Sequence, residues 1–406
     1  MIIHQPEIIT HNGEVTVTAR IEPGKPIEDI PKQLWFTYPE QYANVVTDRS
    51  DAFATSLLTF AMYLHEDLEI RGELSPQLAF GIEDYQHIYR AWYPKLLKRV
   101  NIRCDQLKAP NVPIEVDQQA LAFSGGVDSH FTLWSLLPEN QTNPYTHISH
   151  GIFIHGFDIH LHQSEKYKFF AKAYSETFTK LGLELIRVRT NIYRFYEFRI
   201  KWEYINGGPT IGCGLVLEKL LRKYFIASSY PYPLIPPLGS SPLSDHWLST
   251  ETMEIIHHGA VKNRLEKLEI LSAWQIPQQQ LRVCTNTELP SRQYNCSECD
   301  KCIRTMTILE LLGSLFKFSV FKGSINLGKI LSWSWVVKSC LTTKQIFHTM
   351  IQKKRFELVF PMLAVLVVLT MKTFFETQIL SRLPSGFVYR LKKRVYQNIA
   401  EKAPLQ

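Results

Sequence analysis

The feature that most constrains this 406-residue chain is a short apolar run, Ala120-Leu121-Ala122-Phe123, that stops abruptly in Ser124-Gly125-Gly126-Val127-Asp128-Ser129. Four uncharged residues suit a strand covered on both faces, and the paired glycines suit a tight turn. Phe131, Leu133, Trp134 and Leu137 then fall at helical spacing until Pro138. The alternation recurs. A strand is expected over 148–154. A helix opened by Ser164-Glu165 follows, with Tyr167, Phe170, Tyr174, Phe178 and Leu181 on one stripe and Gly182 at its end. A third strand is expected over 183–188. A helix over 215–224 and a strand over 225–228 precede the proline-rich stretch 230–237. Consecutive strand–helix–strand units imply an α/β fold with a doubly wound parallel sheet, helices on both faces.

Around this grammar the chain divides into three expected regions. Residues 1–118 read as an accessory α+β region. There Glu14-Val15-Thr16-Val17-Thr18-Ala19-Arg20-Ile21 alternates like a half-buried strand, Phe53, Leu57, Leu58 and Met62 share a helix face, and Ile82, Tyr85, Ile88, Tyr89, Trp92 and Tyr93 form an aromatic stretch. Residues 119–313 carry the strand–helix alternation. Residues 314–406 are a mainly helical C-terminal extension, basic and apolar at once.

Charge sharpens that division. The net +7 conceals a tail, 314–406, with 15 Lys and Arg against 3 Asp and Glu, while 1–313 carries 30 against 35. The excess therefore points to an anionic partner for the tail, whether RNA, a lipid surface or an acidic protein, or to docking on the acidic body itself. Hydrophobic residues at 45% and charged residues at 20% exclude a disordered or fibrous chain. The start, Met1-Ile2-Ile3-His4-Gln5, lacks the form of a secretory leader, and seven cysteines are too few for a disulfide scaffold. A reducing, cytoplasmic location is expected. The longest uncharged apolar run, residues 358–371, is short of the ~20 that cross a bilayer and reads as a buried or interfacial helix.

Two constellations carry chemistry. In a doubly wound sheet ligands bind beyond the carboxyl ends of the strands, and the first such end here is a Gly-Gly turn flanked by hydroxyls and followed by a helix. That arrangement suits a phosphate: backbone N–H groups approach the anion and the helix terminus adds positive potential. The Lys of a Walker loop is absent. The second constellation is Cys296-x-x-Cys299-x-x-Cys302 with Cys284 twelve residues upstream. Four thiolates close a tetrahedral Zn²⁺ site with no open position, a structural centre; an iron–sulfur cluster is the rival. Cys104, Cys213 and Cys340 read as small buried hydrophobes.

The string Ser124-Gly125-Gly126-Val127-Asp128-Ser129 resembles the signature of the PP-loop ATP pyrophosphatases, adenine nucleotide α-hydrolase-like (HUP-like) enzymes that cleave ATP between its α and β phosphates. With the cysteine cluster at the end of the same region, residues 119–313 look like the 7-cyano-7-deazaguanine synthase family. The resemblance implies that Ser124, Gly125, Gly126, Val127 and Ser129 line the pyrophosphate, and that Asp128 organises the loop or Mg²⁺. ATP, Mg²⁺ and Zn²⁺ are the implied cofactors. It also implies adenylation of a carboxylate or amide on a small-molecule acceptor, followed by attack of ammonia or an amine. Asp128, Ser129 and Lys267 are the expected catalytic residues. Arg264 and Lys267, on the helix expected over 264–271, are candidates for contacts to phosphate or substrate; a solvated face shared with Glu266 and Glu269 is the other reading. No N-terminal Cys offers a fused glutaminase, so nitrogen is expected from free ammonia or a partner.

Some residues depart from the family. His155-Gly156-Phe157-Asp158-Ile159-His160 replaces its Tyr-Gly-Gln-x-His pattern, and Gly239-Ser240-Ser241-Pro242-Leu243-Ser244-Asp245-His246 stands where substrate contacts belong. His155, Asp158, His160 and His162 form either a metal or base cluster or a lightly bonded loop. Two other functions compete: an RNA-modifying, thiolating enzyme with Cys213 as sulfur carrier, and a non-catalytic nucleotide-binding scaffold. A homodimer is compatible with each.

Overall fold

The computed structural model describes residues 1–111, 117–284, 286–336 and 340–378. Its strands are β1 (Ile2–Ile3), β2 (Glu7–His11), β3 (Glu14–Glu22), β4 (Gln33–Pro39), β5 (Leu68–Leu74), β6 (Ile102–Leu107), β7 (Gln118–Ala122), β8 (His150–His155), β9 (Glu184–Thr190), β10 (Leu221–Ala227) and β11 (Glu254–His258). The helices are α1 (Asp51–Leu64), α2 (Pro76–Trp92), α3 (Val127–Leu136), α4 (Ser164–Lys180), α5 (Tyr193–Tyr196), α6 (Gly207–Leu215), α7 (Arg264–Leu271), α8 (Gln275–Gln280), α9 (Asp300–Leu311), α10 (Leu327–Val336), α11 (Cys340–Gln352) and α12 (Phe356–Gln378).

All eleven strands join one sheet, ordered β11-β10-β7-β8-β9-β4-β3-β1-β5-β6 with β2 paired to β3. The run β11-β10-β7-β8-β9 is parallel throughout, as the βα alternation requires. The sheet as a whole is mixed. β4 pairs antiparallel with β9, and β3 with β4, β2 and β1, so the N-terminal strands extend the sheet instead of forming their own. A parallel run ending at β9 would leave an open edge, and β4 covers it.

Alternating side chains cover the parallel strands on both faces. Leu121, Phe153, Leu185 and Phe225 pack with Leu133 and Leu136 of α3 and Phe170, Tyr174 and Phe178 of α4. On the other face Ala120, Ile152, Ile186, Tyr224 and Ile226 join Phe53, Leu57 and Phe60 of α1 and Ile211 and Leu215 of α6. The chain runs outward from β7 through β8 to β9, then returns to place β10 on the other flank of β7. The strand order thus reverses between β7 and β10, and open α/β sheets bind ligands beyond the carboxyl ends at such a point.

One expectation fails. The helix expected over 215–224 lies earlier, at α6, and β10 already begins at Leu221. α6 reads Gly-Gly-Pro-Thr-Ile-Gly-Cys-Gly-Leu, poor in helix formers. Contact with α1 overrides propensity: a Cβ on Gly212 would sit 2.8 Å from the Ala52 carbonyl oxygen, and one on Gly208 2.6 Å from that of Thr55. That close approach also buries α1 on every side, where one buried face was expected.

After Gly313 the chain packs back on α9. Trp333 Nε1 donates to Asp300 Oδ1 at 2.8 Å, and Ile330, Trp333, Ile346, Met350, Leu358 and Met362 share a cluster with Ile303 and Met306. No helix among the described residues is long and apolar enough to cross a membrane. The basic residues Arg390, Lys392, Lys393 and Arg394 lie outside the described residues.

Candidate functional site

The 124–129 loop leaves β7 and enters α3 through Gly126, the extended N-cap residue. Gly125 takes a left-handed φ of 76°, and a Cβ there would meet the Tyr174 hydroxyl at 2.0 Å, so any other residue would be strained and would force the loop or Tyr174 to move. The loop is braced from within: the Gly126 N–H donates to Ser124 Oγ at 3.3 Å and Ser129 Oγ donates to the Gly126 carbonyl at 3.2 Å. His130 bonds that carbonyl through Nδ1 at 3.0 Å, and burial pulls its imidazole down to about 4. Arg282 braces it from outside, donating its backbone N–H to the Gly125 carbonyl at 2.8 Å and its guanidinium to that of Ser124 at 2.9 Å.

Asp128, on the first turn of α3, meets two cations carried by α7. Arg264 donates to Oδ2 at 2.5 Å and Lys267 to Oδ1 at 3.1 Å. Burial works to raise the Asp128 carboxyl, but Arg264 and Lys267 outweigh it and hold it below the ordinary carboxylate range. The Lys267 ammonium, 1% exposed, also donates to the Ser228 carbonyl at the end of β10, at 2.5 Å. It is not on a solvated face. α7 is set for this role by a capping box: Asn263 Oδ1 accepts the Leu265 and Glu266 N–H groups, and Glu266 accepts that of Asn263. Glu266 therefore serves the helix end, leaving Lys267 to Asp128.

Further cations gather here that the sequence did not single out. Arg282 pairs with Asp158 at 2.6 Å, its side chain 3% exposed. Burial raises the Asp158 carboxyl, yet Arg282 more than offsets it and keeps it ionised. Arg304 of α9 is buried with no partner for Nε, its nearest carboxylate being Asp300 at 3.9 Å. Burial, and then repulsion from Arg264, lower its guanidinium. Arg282 Nε is likewise unpartnered. Burial lowers the Lys301 ammonium, Asp158 opposes this, and Arg264, Arg304 and Arg282 add to the lowering. Buried donors of one sign with spare N–H groups are costly unless an anion completes them. Arg304 lies two residues after Cys302, the only signal in the chain that could have marked it.

The second cluster assembles as expected. The sulfurs of Cys284, Cys296, Cys299 and Cys302 lie within 4.8 Å of one another, and the pairs Cys296–Cys302 and Cys284–Cys299 are 3.8 Å apart. Tetrahedral Zn–S bonds of about 2.3 Å place sulfurs close to that separation, far beyond a disulfide length of about 2.05 Å. Backbone N–H groups of Glu298 and Cys299 turn toward Cys296 Sγ, and that of Asn286 toward Cys284 Sγ. Hydrogen bonds from Cys299 and Cys302 hold the Cys284 thiol well below its ordinary range. Four sulfurs so placed can hold a metal ion such as zinc.

Other candidates fall away. His155 is buried, bonds the His160 carbonyl through Nε2 and stacks on Tyr167, while His160 stacks on His162. Among the described residues only the four cysteines form a metal-binding group. Cys213 is buried and its thiol is pushed far up by burial, which removes nucleophilicity. In the 239–246 segment the buried Asp245 accepts from Ser240 Oγ at 2.6 Å, the Ser241 N–H at 3.0 Å, Ser244 Oγ at 3.2 Å and His257 Nδ1 at 2.8 Å. His257 is thereby oriented at the carboxyl end of β11. A cavity of about 600 Å³ lined by Arg222, Lys223, Glu251 and Glu254 opens at the amino ends of β10 and β11. That is the wrong end of the sheet for a ligand of this topology, and the cation-ringed loop is the stronger candidate.

No family model, no curated protein and no solved structure matches this chain.

Proposed function

We propose that the chain is an ATP pyrophosphatase-type ligase that binds the phosphates of ATP on the 124–129 loop. In this reading an oxygen of a carboxylate or amide on a small-molecule acceptor attacks the α-phosphate, the bond to the bridging oxygen of the β-phosphate breaks, and pyrophosphate leaves. Ammonia or an amine then attacks the activated carbon, expels AMP and loses a proton. The motif resemblance suggests a 7-deazaguanine as the acceptor.

One observation carries the reading: Arg264, Lys267, Arg282 and Arg304 converge on a glycine turn at the point where the strand order reverses. These donors are fixed before any ligand arrives, so they favour charge developing on a leaving pyrophosphate without reorganisation. Asp128, already engaged by Arg264 and Lys267, is assigned to hold those cations. Mg²⁺ accompanying ATP would add charge neutralisation at the phosphates. Zinc on the four cysteines would be structural and would anchor the start of α9, which carries Arg304. The buried thiol of Cys213 favours this reading over sulfur transfer.

The test supplies ATP, Mg²⁺, ammonium and 7-carboxy-7-deazaguanine. AMP and pyrophosphate are expected, Ser129→Ala losing most of the yield and Arg304→Ala weakening ATP binding by roughly tenfold, as for loss of one charged hydrogen bond. Release of ADP and phosphate would refute the α-phosphate assignment.

A further inference from the structure

We infer that α12 presents a docking face for an anionic lipid surface. Its inner side, Leu358, Met362, Val365 and Leu369, is buried against the body. On a surface helix the opposite side should be polar. Instead Phe356, Phe360, Leu363, Val367 and Met371 stand 57, 76, 43, 59 and 68% exposed. Steps of four, three, four and four residues align them in one stripe about 22 Å long. No charged residue falls between Glu357 and Lys372 to interrupt it. An apolar stripe of this extent on a folded surface marks an interaction site.

Charge selects the occupant. Lys353 and Lys354 are exposed in the turn that leads into α12, and Lys372 follows the last residue of the stripe in sequence. The whole extension from Ser314 carries 15 cations against 3 carboxylates. Two copies meeting through α12 would add like charge to like charge at Lys353 and Lys354, whereas anionic headgroups neutralise them. The helix is not long and apolar enough to cross a bilayer. It can lie in the interface, the apolar stripe sunk to the acyl boundary and the lysines at headgroup level.

The experiment is co-sedimentation of the full chain with vesicles of phosphatidylcholine, with and without phosphatidylserine. Binding is expected at least about tenfold tighter with the anionic lipid and should weaken as salt is raised. Val367→Asp should abolish it while the protein keeps its circular dichroism and metal content. Lys353→Glu combined with Lys354→Glu, which leaves the stripe intact, should weaken it roughly fivefold or more per lysine. Equal binding to both vesicles, or none, would overturn the assignment. So would a dimer seen by light scattering that Val367→Asp dissociates in the absence of vesicle binding, since a second copy would then cover the face.

Discussion

The Lys267 ammonium lies 3.1 Å from Asp128 Oδ1 although 139 residues separate them. The same ammonium reaches the Ser228 carbonyl, so a single side chain ties the loop after β7 to the end of β10. Asp128 pairs with both Lys267 and Arg264 and offsets one of their two charges, so the buried site keeps a net positive charge.

Replacing Asp128 by Asn should therefore destabilise the protein by about 3 kcal/mol, because two buried cations lose their counter-charge. Pyrophosphate should restore more thermal stability to the variant than to the parent, since it supplies the missing anion. The pH dependence has a defined sign. A folded carboxyl held below its unfolded value stabilises above that value, near 3.9, and the contribution disappears as pH falls through the folded one. Denaturant titrations across pH 5 to 2 (roughly the window in which such a carboxylate titrates) should show this loss in the parent and not in the Asn variant.

Gly125 and Gly13 separate backbone strain from steric exclusion. Their φ angles are 76° and 77°, but a Cβ on Gly13 would meet nothing within 4 Å while one on Gly125 meets the Tyr174 hydroxyl. Gly13→Ala should cost about 1 kcal/mol, the left-handed penalty alone. Gly125→Ala should cost clearly more and should also impair ATP binding, because the loop must move away from Tyr174. Chemical denaturation and calorimetric titration read the two effects.

Three histidines, His130, His155 and His258, have imidazoles that burial draws down to about 4. Unfolding lets each take up a proton below its ordinary value near 6.5. Their contribution is complete above that pH and is lost as pH falls toward 4, with each imidazole contributing on the order of 1–3 kcal/mol. His130→Gln should flatten the stability curve between these limits. An unchanged slope would show that His130 titrates alike in the folded and unfolded protein.

The cysteine cluster should bind one zinc per chain, measured by metal analysis, with folding energy on the order of 10 kcal/mol linked to it. Cys299→Ala is expected to lose both metal and fold. Cys302 and Arg304 share α9, so partial chelation should weaken ATP binding before the body unfolds. Trp333→Ala, which empties a buried site and removes one hydrogen bond to Asp300, should lower stability by about 3–5 kcal/mol without removing the metal.

What could be read from the chain alone was whatever short segments encode locally. The turn at Gly125-Gly126 announces itself because so few residues tolerate its backbone, the cysteines because a knuckle needs two-residue spacing, and the strands β7, β8 and β9 because short apolar stretches alternate with helical stripes along the chain. The helix over 264–271 was placed by the family resemblance and its bounds are those of α7, whereas the capping box of Asn263 and Glu266 that fixes its start went unread. Tertiary structure alone decided the rest. Arg282 carries no local signature and Arg304 only its place two residues after Cys302; they come near the loop because α9 and the segment before the cysteines pack beside α3. The pairing of Asp245 with His257 likewise depends on where β11 lies. α6 forms against its own glycine-rich composition because only glycine lets it approach α1, and β4 joins β9 because an open edge had to be covered. Local conformational preference is written into neighbouring residues, whereas a charge becomes a site residue only when the fold removes water from it and sets its partners around it.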